Sequence, residues 1–558
     1  MKAIKCLLLC LALLCGAAVL GAQEFGLHWA ISAGGIFDDE SQDIAIDSQG
    51  NQYITGTFMG TATFGTHTLT ANGNIHGDIF VAKLDPDGNW LWAVKAEGWI
   101  YRDCGYGIAV DSSGNAYLTG SFEGTATFGD HTLTASGNLD IFVAKLDSAG
   151  NWLWAAKAGG IKNDEGRSIA VDGMGNTYVT GYFRVTATFG SHSLTATASS
   201  SSHDDFFVAK LDPDGNWLWA VRAEGSFINF YVGYSAHGIN IVVDGSGNAW
   251  VTGDFKGIAT FGSQTLTSSY NCESCDIFVA RLDPDGNWLW AVQAGRKDLG
   301  YDIAVDGSGN AWVTGTILGL VTFGSQTLSQ GVYVAKLDPD GNWLWAVDIR
   351  TISLFPDVYK IALDAAGNAY VAGHFFEYAC FANHCIDSSG DFDIYVAKLD
   401  PDGNWFWKVN LGGIFPKMLR GFALDSEGHL YMSGYYSFMA DFFGHSLQAN
   451  GDERKTDIFV TRLGNVASVD DVPAARLHGA YPNPLYGGGS AVIKVDIEKC
   501  KYGTLSIFNL RGQLLSRQRL SKGSHEISFS GKGLPAGIYL YSIRCGNYQE
   551  TKKLVLIK

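Results

Sequence analysis

The residues whose types could do chemistry are those that differ where the rest of the chain repeats. They gather in two recurrent connecting stretches. Asp38 and Asp39 stand beside Glu40, and Trp99, Tyr101, Arg102 and Asp103 follow. Asp164, Glu165 and Arg167 come next, then Tyr231, Tyr234 and His237. Arg296, Lys297 and Asp298, Arg350, Asp357, Lys417 and Arg420 complete the set. Mixed acids, bases and aromatics suit a glycan or peptide ligand, and they equally suit a solvated rim. Two carboxylates about 5–10 Å apart would instead suit polysaccharide cleavage. The chain has no G-x-S-x-G, no H-E-x-x-H and no phosphate loop. No catalytic residue is assigned and no cofactor is implied.

Other chemistry-bearing groups read as structural. His67, His131, His192, His384 and His445 share one place in "FGTHTL"-like hairpins, where Gln264 and Gln326 stand in two further copies. Asp78, Asp140, Asp205, Asp276, Asp393 and Asp457 each precede an "IFVAK"-like strand, as turn or cap groups would. Beyond residue 22 there are seven cysteines. Cys272 with Cys275, Cys380 with Cys385, and Cys500 with Cys545 are disulfide candidates, which leaves Cys104 odd. A zinc site from His374, Cys380, His384 and Cys385 matches no strong ligand spacing, so no metal is expected.

These residues need elements to hold them. "DPDGNWLWA" begins at Asp85, Asp212, Asp283 and Asp338, with near copies at Asp147 and Asp400. It alternates with "IAVDSSGNAYLTG"-like stretches around Asp47, Asp111, Asp172, Asp244, Asp306, Asp364 and Asp425. The period is about sixty residues, which marks a repeat architecture. Each unit reads as two β-hairpins. The Asp-Pro-Asp-Gly turn suits a type I turn followed by a left-handed glycine, and its spacing departs from a calcium loop. Trp90 and Trp92 share one strand face, and such pairs read as packing between neighbouring sheets.

Four strands per unit, seven times over, imply a β-propeller. The last unit lacks its "NWLWA" strand, and "FGLHWAISAGG" near the N-terminus looks like the spare copy. Trp29 should therefore complete the seventh blade. The units resemble bacterial β-propeller repeats of the SBBP type, and more loosely NHL-like propellers, on "D-x-x-G-N-x-Y-V-T-G" and "D-I-F-V-A-K-L-D" across residues 23 to 464. That resemblance implies the fold and leaves the function open.

The two ends set the destination. "MKAIKCLLLCLALLCGAAVLGAQ" reads as a secretory signal peptide over residues 1–22, with a lipoprotein signal at Cys15 the lesser reading. No stretch is long enough for a membrane span. After a linker at 465–480 the composition changes. Residues 481–558 hold 12 Lys and Arg against 4 Asp and Glu, a net +8, so the remainder of the chain carries -25 of the total -17. An acidic propeller has no general attraction to nucleic acid. Residues 481–558 read as a small β-sandwich. They resemble the C-terminal sorting domain of the type IX secretion system. The matching pieces are Tyr481-Pro482-Asn483-Pro484, Ile507-Phe508-Asn509 with Gly512, Gly537-Ile538-Tyr539, and the Lys552-Lys553 tail. The resemblance implies the type IX machinery as partner and delivery to the surface of a Gram-negative cell, or release from it.

The sequence thus predicts an all-β chain: a seven-bladed β-propeller of four-stranded blades, followed by a small C-terminal β-sandwich. The expected function is non-enzymatic binding or adhesion to a glycan or protein ligand. A secreted hydrolase or lyase acting on polysaccharide is the alternative.

Overall fold

The structure is a computed structural model. It describes residues 24–557 apart from 73–76, 99–102, 197–203, 226–239, 269–274, 296–297, 352–359, 383, 389–391, 413–416, 452–454, 467–474, 482, 487, 512 and 546–547. The signal-peptide reading lies outside the described residues. Every regular element described is a β-strand. One compact unit spans Leu27–Gly464, and Asn465–Lys558 belong to a second.

The first unit is built from four-stranded antiparallel meanders. The first comprises Asp39–Ile46, Gln52–Met59, Gly77–Leu84 and Trp90–Ala96. Seven such meanders can be traced among the described residues. In the last, the strands Lys417–Leu424, Leu430–Ser437 and Thr456–Val466 are joined by Glu24–Gly35, which carries Trp29 in fourth place. The first strand of each meander packs against the first strand of the next, and Asp39–Ile46 packs against Lys417–Leu424.

The quoted turns explain why the hairpins form. In "DPDGN" the Asp85 carboxylate accepts the backbone N–H groups of Asp87 and Asn89 and the Asn89 side-chain amide. Gly88 sits at φ +85°, where a side chain would be strained. The same carboxylate-centred cap recurs at Asp47, Asp111 and Asp400. These aspartates are turn caps, as their spacing indicates.

The tryptophans lock meander to meander. The Trp92 indole N–H donates to the Ser148 carbonyl in the next meander's turn, at 3.1 Å. Trp154, Trp219, Trp290 and Trp345 repeat this on Pro213, Pro284, Pro339 and Pro401. Trp29 does the same on Pro86 at 3.0 Å, across the junction between the chain's last and first meanders. The other tryptophan of each pair meets a phenylalanine edge-on, as Trp90 does Phe64 at 5.2 Å. Beneath each seam lies a cation, buried at Lys83, Lys210 and Lys336 and half-buried at the others. Lys83 is 7% exposed, sits 4.6 Å from the Tyr53 ring centre and faces Asp47.

The "TATFGTHTL" stretches form small hairpins, such as Thr61–Phe64 with His67–Thr70. Several pair with the end of the preceding meander's fourth strand, as Gly34 and Gly35 do with Thr63 and Ala62. The variable connections expected after the second strand therefore contain regular structure.

In the second unit, Ala475–Tyr481, Ser490–Asn509, Gly537–Cys545, Tyr548–Ile557 and Leu485–Tyr486 lie in that order in one sheet, and Leu514–Ser530 also pairs with Ser490–Asn509. Its core includes Leu477, Ile493, Val495, Ile507, Tyr541 and Leu554.

Candidate functional site

The first strands carry the groups that vary. In five meanders the strand-one ladder shifts register at one residue, skipping Gln42, Tyr106, Arg167, Tyr301 and Arg420. A bulge leaves its extra residue unpaired and re-aims its side chain. All five are polar or aromatic, and each stands five positions before its meander's turn aspartate.

Four neighbouring meanders build a cluster there. Arg167 pairs with Glu165 at 2.5 Å, lies 4.2 Å from the Tyr106 ring centre and reaches the Tyr182 hydroxyl at 3.4 Å. Arg420 donates to the Tyr435 hydroxyl at 3.1 Å and attracts Glu40, which also accepts from Gln42. Between Glu40 and Glu165 lies Cys104, 7% exposed and feeling both arginines. Burial, and then Glu40, push the Cys104 thiol well above its ordinary range. Such a thiol is a poor nucleophile. The Nε atoms of Arg167 and Arg420 are buried without a hydrogen-bond partner. His374 lies beside Arg420, and burial followed by that positive charge lowers its pKa to about 3. Its Nε2 accepts the Leu419 N–H. The cluster can hold a ligand by stacking and charge-assisted hydrogen bonds.

Below it runs a second polar belt, four positions before the turn aspartates. Asp43 accepts the Ile108 N–H, Asp302 accepts the Ile361 N–H, and Ser168 accepts the Ile241 N–H. Each link takes a backbone donor from the next meander's inner strand, so these groups serve the frame.

The structure redistributes the sequence candidates. Arg167 and Arg420 join the cluster with Glu40 and Glu165. Asp39, Asp103 and Asp164, expected on an exposed loop face, are at most 1% exposed. Each accepts backbone N–H groups, Asp39 from Gly35 and Met59, because eight positions before the turn aspartate the chain enters strand one. Lys417 is likewise buried, 5.8 Å from the Phe442 ring centre. Asp38 is paired with Lys455 at 2.8 Å, and Arg350 donates to the Ala382 carbonyl. Trp99, Tyr101, Arg102, Tyr231, Tyr234, His237, Arg296 and Asp357 lie outside the described residues, as does the side chain of Asp298. Tyr106, Tyr182 and Tyr435 were missed. For Tyr106 the signal was its fixed offset from Asp111.

Among the cysteines, Cys380 and Cys385 form a disulfide, which removes both from the zinc alternative. Cys275 is free, with its thiol at the Asp254 carboxyl, so the Cys272–Cys275 pairing expected from spacing is corrected. Cys272 and the side chains of Cys500 and Cys545 lie outside the described residues. Cys104 is free and buried.

In the second unit, the Asn483 side chain clips the final strand. Its amide donates to the Lys553 carbonyl, and its oxygen accepts the Val555 N–H. Asn509 caps the next turn through Arg511 and Gln513. Tyr539 donates to the Pro535 carbonyl at 2.7 Å, Gly537 opens its strand, and Lys552 follows on the last one. Pro482, Gly512 and the side chain of Tyr481 lie outside the described residues.

Residues 479–558 match the model of the secretion system C-terminal sorting domain, and residues 101–121 match that of the beta-propeller repeat. The chain is a β-propeller repeat protein with a type IX secretion sorting domain. Such a domain implies engagement with the secretion machinery and secretion or cell-surface attachment. Among curated proteins, the β-propeller repeat protein is similar to an uncharacterized WD repeat-containing protein of Acanthamoeba polyphaga mimivirus. The two are 24% identical over 446 residues, 63% of this chain and 32% of the relative, so the chain spans about a third of that protein's length. Among solved structures it is similar to a puromycin hydrolase (10% identity, 82% of this chain and 58% of that one, TM-score 0.40). It is also similar to an ulvan lyase (10% identity, 69% and 90%, TM-score 0.31). Likeness at that level carries no argument about chemistry. Among the described residues no helix is long and apolar enough to cross a membrane.

Proposed function

We propose that the chain is a non-enzymatic binding or adhesion protein: a closed seven-bladed propeller over residues 23–464 that takes a glycan or protein ligand at the mouth of its axis. A linker at 465–480 joins it to the sorting domain at 481–558, and a cleaved signal peptide starts its route through the periplasm to the outer-membrane surface. The observation that carries the binding reading is the set of strand-one bulges, which present Gln42, Tyr106, Arg167, Tyr301 and Arg420. Repeats that share their turns and tryptophans hold glutamine, tyrosine or arginine at this position. Arginine and tyrosine side by side are typical anchors of recognition surfaces. The binding reading is favoured over catalysis because Glu165 is tied to Arg167, Glu40 is held by Gln42 and attracted by Arg420, and the Cys104 thiol beside them is buried and hard to ionise.

The test is a glycan and peptide array probed with the full chain and with Arg420→Ala. Retained signal after washing, lost in the variant and without any new reducing end or unsaturated sugar, supports binding. Release of shortened saccharides by the wild type, abolished by Glu40→Gln, would replace this reading with the hydrolase or lyase one.

A further inference from the structure

Three successive meander junctions bury two carboxyl groups face to face. Asp39 meets Asp457, Asp103 meets Asp78, and Asp164 meets Asp140. Glycines permit the approach. Asp457 Oδ1 and Asp39 Oδ2 lie 2.6 and 3.0 Å from the point where a Gly34 side chain would begin. At Gly159 the same point is 2.7 Å from Asp140 Oδ1 and 3.1 Å from Asp164 Oδ2. All six carboxyls are at most 1% exposed.

The hydrogen bonds at each pair leave one oxygen over. Asp39 accepts the Gly35 and Met59 N–H groups, Asp164 those of Gly160 and Arg184, and Asp103 Oδ1 that of Glu123. Asp457 Oδ2 accepts from Asn450, and Asp140 Oδ2 from Ser136. Asp457 Oδ1, Asp140 Oδ1 and Asp103 Oδ2 have no partner. A buried carboxylate oxygen without a donor is costly, and so are two buried like charges. One proton cures both faults, because a protonated carboxyl becomes a donor to its neighbour.

Three of the other four junctions carry different residues at these positions. Opposite Asp393 stands Lys417, whose ammonium feels that carboxylate. Asp205 takes Arg222 at 3.3 Å, and in the sequence the residue eight positions before Asp244 is Ala236 rather than an acid. In the sequence, Gly331 and Pro356 hold the two corresponding positions of another repeat pair. At the remaining junction the sequence again has an acid at both positions, Asp276 and Asp298, and the side chain of Asp298 lies outside the described residues.

We propose that a proton is shared between the two carboxyls at each of the three junctions, so that closure of the propeller ring is an acid-stabilised lock that loosens as pH rises past neutrality. The surrounding charges leave room for that proton. At the closing junction Lys455 is spent on Asp38, and Tyr436 faces Asp457 as a neutral phenol. Lys95 reaches Asp78 at 3.3 Å, with Glu97 and Glu123 near by, and Lys157 reaches Asp140 at 3.6 Å while Arg184 is held by Asp204. One lysine against two acids still leaves a negative charge. Burial, reinforced by the neighbouring acid, pushes Asp39 and Asp164 up to about 8 and Asp103 up to about 7. In the unfolded chain these groups titrate near 3.9. The folded state therefore holds the extra protons between those values. The stabilisation is complete below about pH 4 and is lost as pH rises through about 7 to 8.

The test is thermal unfolding of the full chain between about pH 5.5 and 8.5. Beside it stands a variant in which each orphan oxygen becomes an amide donor: Asp457→Asn, Asp103→Asn and Asp140→Asn together. The wild-type Tm should fall by roughly 5 °C or more across that range. The variant should fall clearly less than the wild type and should match or exceed it at the alkaline end. The wild type should also show the infrared carbonyl stretch of a protonated carboxylic acid at neutral pH, and the variant should lose it. If the triple variant does not fold, each single substitution should remove part of the slope. A wild-type Tm independent of pH, or an unchanged slope in the variants, overturns the proposal. Millimolar Ca2+ that restores the alkaline Tm of the wild type but leaves the variant unmoved would also overturn it, in favour of a metal ion in the gap.

Discussion

The outer wall of the propeller unit and its axis obey opposite rules. At the wall, six fourth strands repeat one contact: an indole N–H on the next turn's carbonyl, with the ring laid over that turn's glycine. At the axis, equivalent bulge positions hold Gln42, Tyr106, Arg167, Tyr301 and Arg420, three residue types in one place. A wall contact joins two neighbours whose geometry recurs, so one residue serves every time. An axial residue faces several inner strands at once, so its surroundings change from place to place. Repetition therefore marks what holds the unit together, and departure from it marks where something else can be met.

Breaking the comparison at its strongest point means removing the strand shared by both chain ends. Deletion of Phe25–Gly35 takes away the Trp29–Pro86 bond and the Gly34–Thr63 ladder. Thermal stability should collapse, by well over 10 °C in calorimetry; an unchanged melting curve would show that the wall contact is not needed for closure. At the axis, Arg167→Met leaves Glu165 buried without its cation. It should cost about 3 kcal/mol at neutral pH. Chemical denaturation at about pH 7.5 checks it, and an unchanged midpoint would show that Glu165 does not need its partner.

Trp154→Phe keeps the ring but loses the indole donor to Pro213. It should cost about 1 to 1.5 kcal/mol, and Trp92→Phe or Trp290→Phe should cost the same within about 0.5 kcal/mol. Unequal costs would break the claim that wall sites are equivalent. The smallest effect belongs to the leucine between each tryptophan pair. Leu153 is 45% exposed, and its counterpart Leu344 is 50% exposed. Leu153→Ser should change stability by less than about 1 kcal/mol, which would separate residues that repeat because they pack from residues that merely repeat.

This contrast explains what could be read in advance. The Asp-x-x-Gly-Asn caps are local, closed by a carboxylate on its own next four residues, so the letters alone reveal them. The spare fourth strand around Trp29 is legible for the same reason: it is one more copy of a pattern. The axial cluster is not local. Tyr106 and Arg167 are distant in sequence, and only the ring of inner strands brings one ring under the other's guanidinium. Asp39, Asp103 and Asp164 were misread as loop residues because each sits in a connection of different length and wording. Their common offset from Asp47, Asp111 and Asp172 would have shown them to be one recurring position.

The strand Glu24–Gly35 has its neighbour in Thr456–Val466, more than four hundred residues later, and Lys455 bonds Asp38 across a separation of 417. The first segment of the unit to be synthesised is thus among the last to find its place. Until the final repeat arrives, the chain is a growing arc with an unsatisfied strand edge at each end. Such edges invite wrong partners, including another copy of the same chain. Contacts of this separation also slow the last step of folding. The time between the first repeat and the last is a window of vulnerability written into the connectivity itself, and an escort that covers one open edge would shorten it.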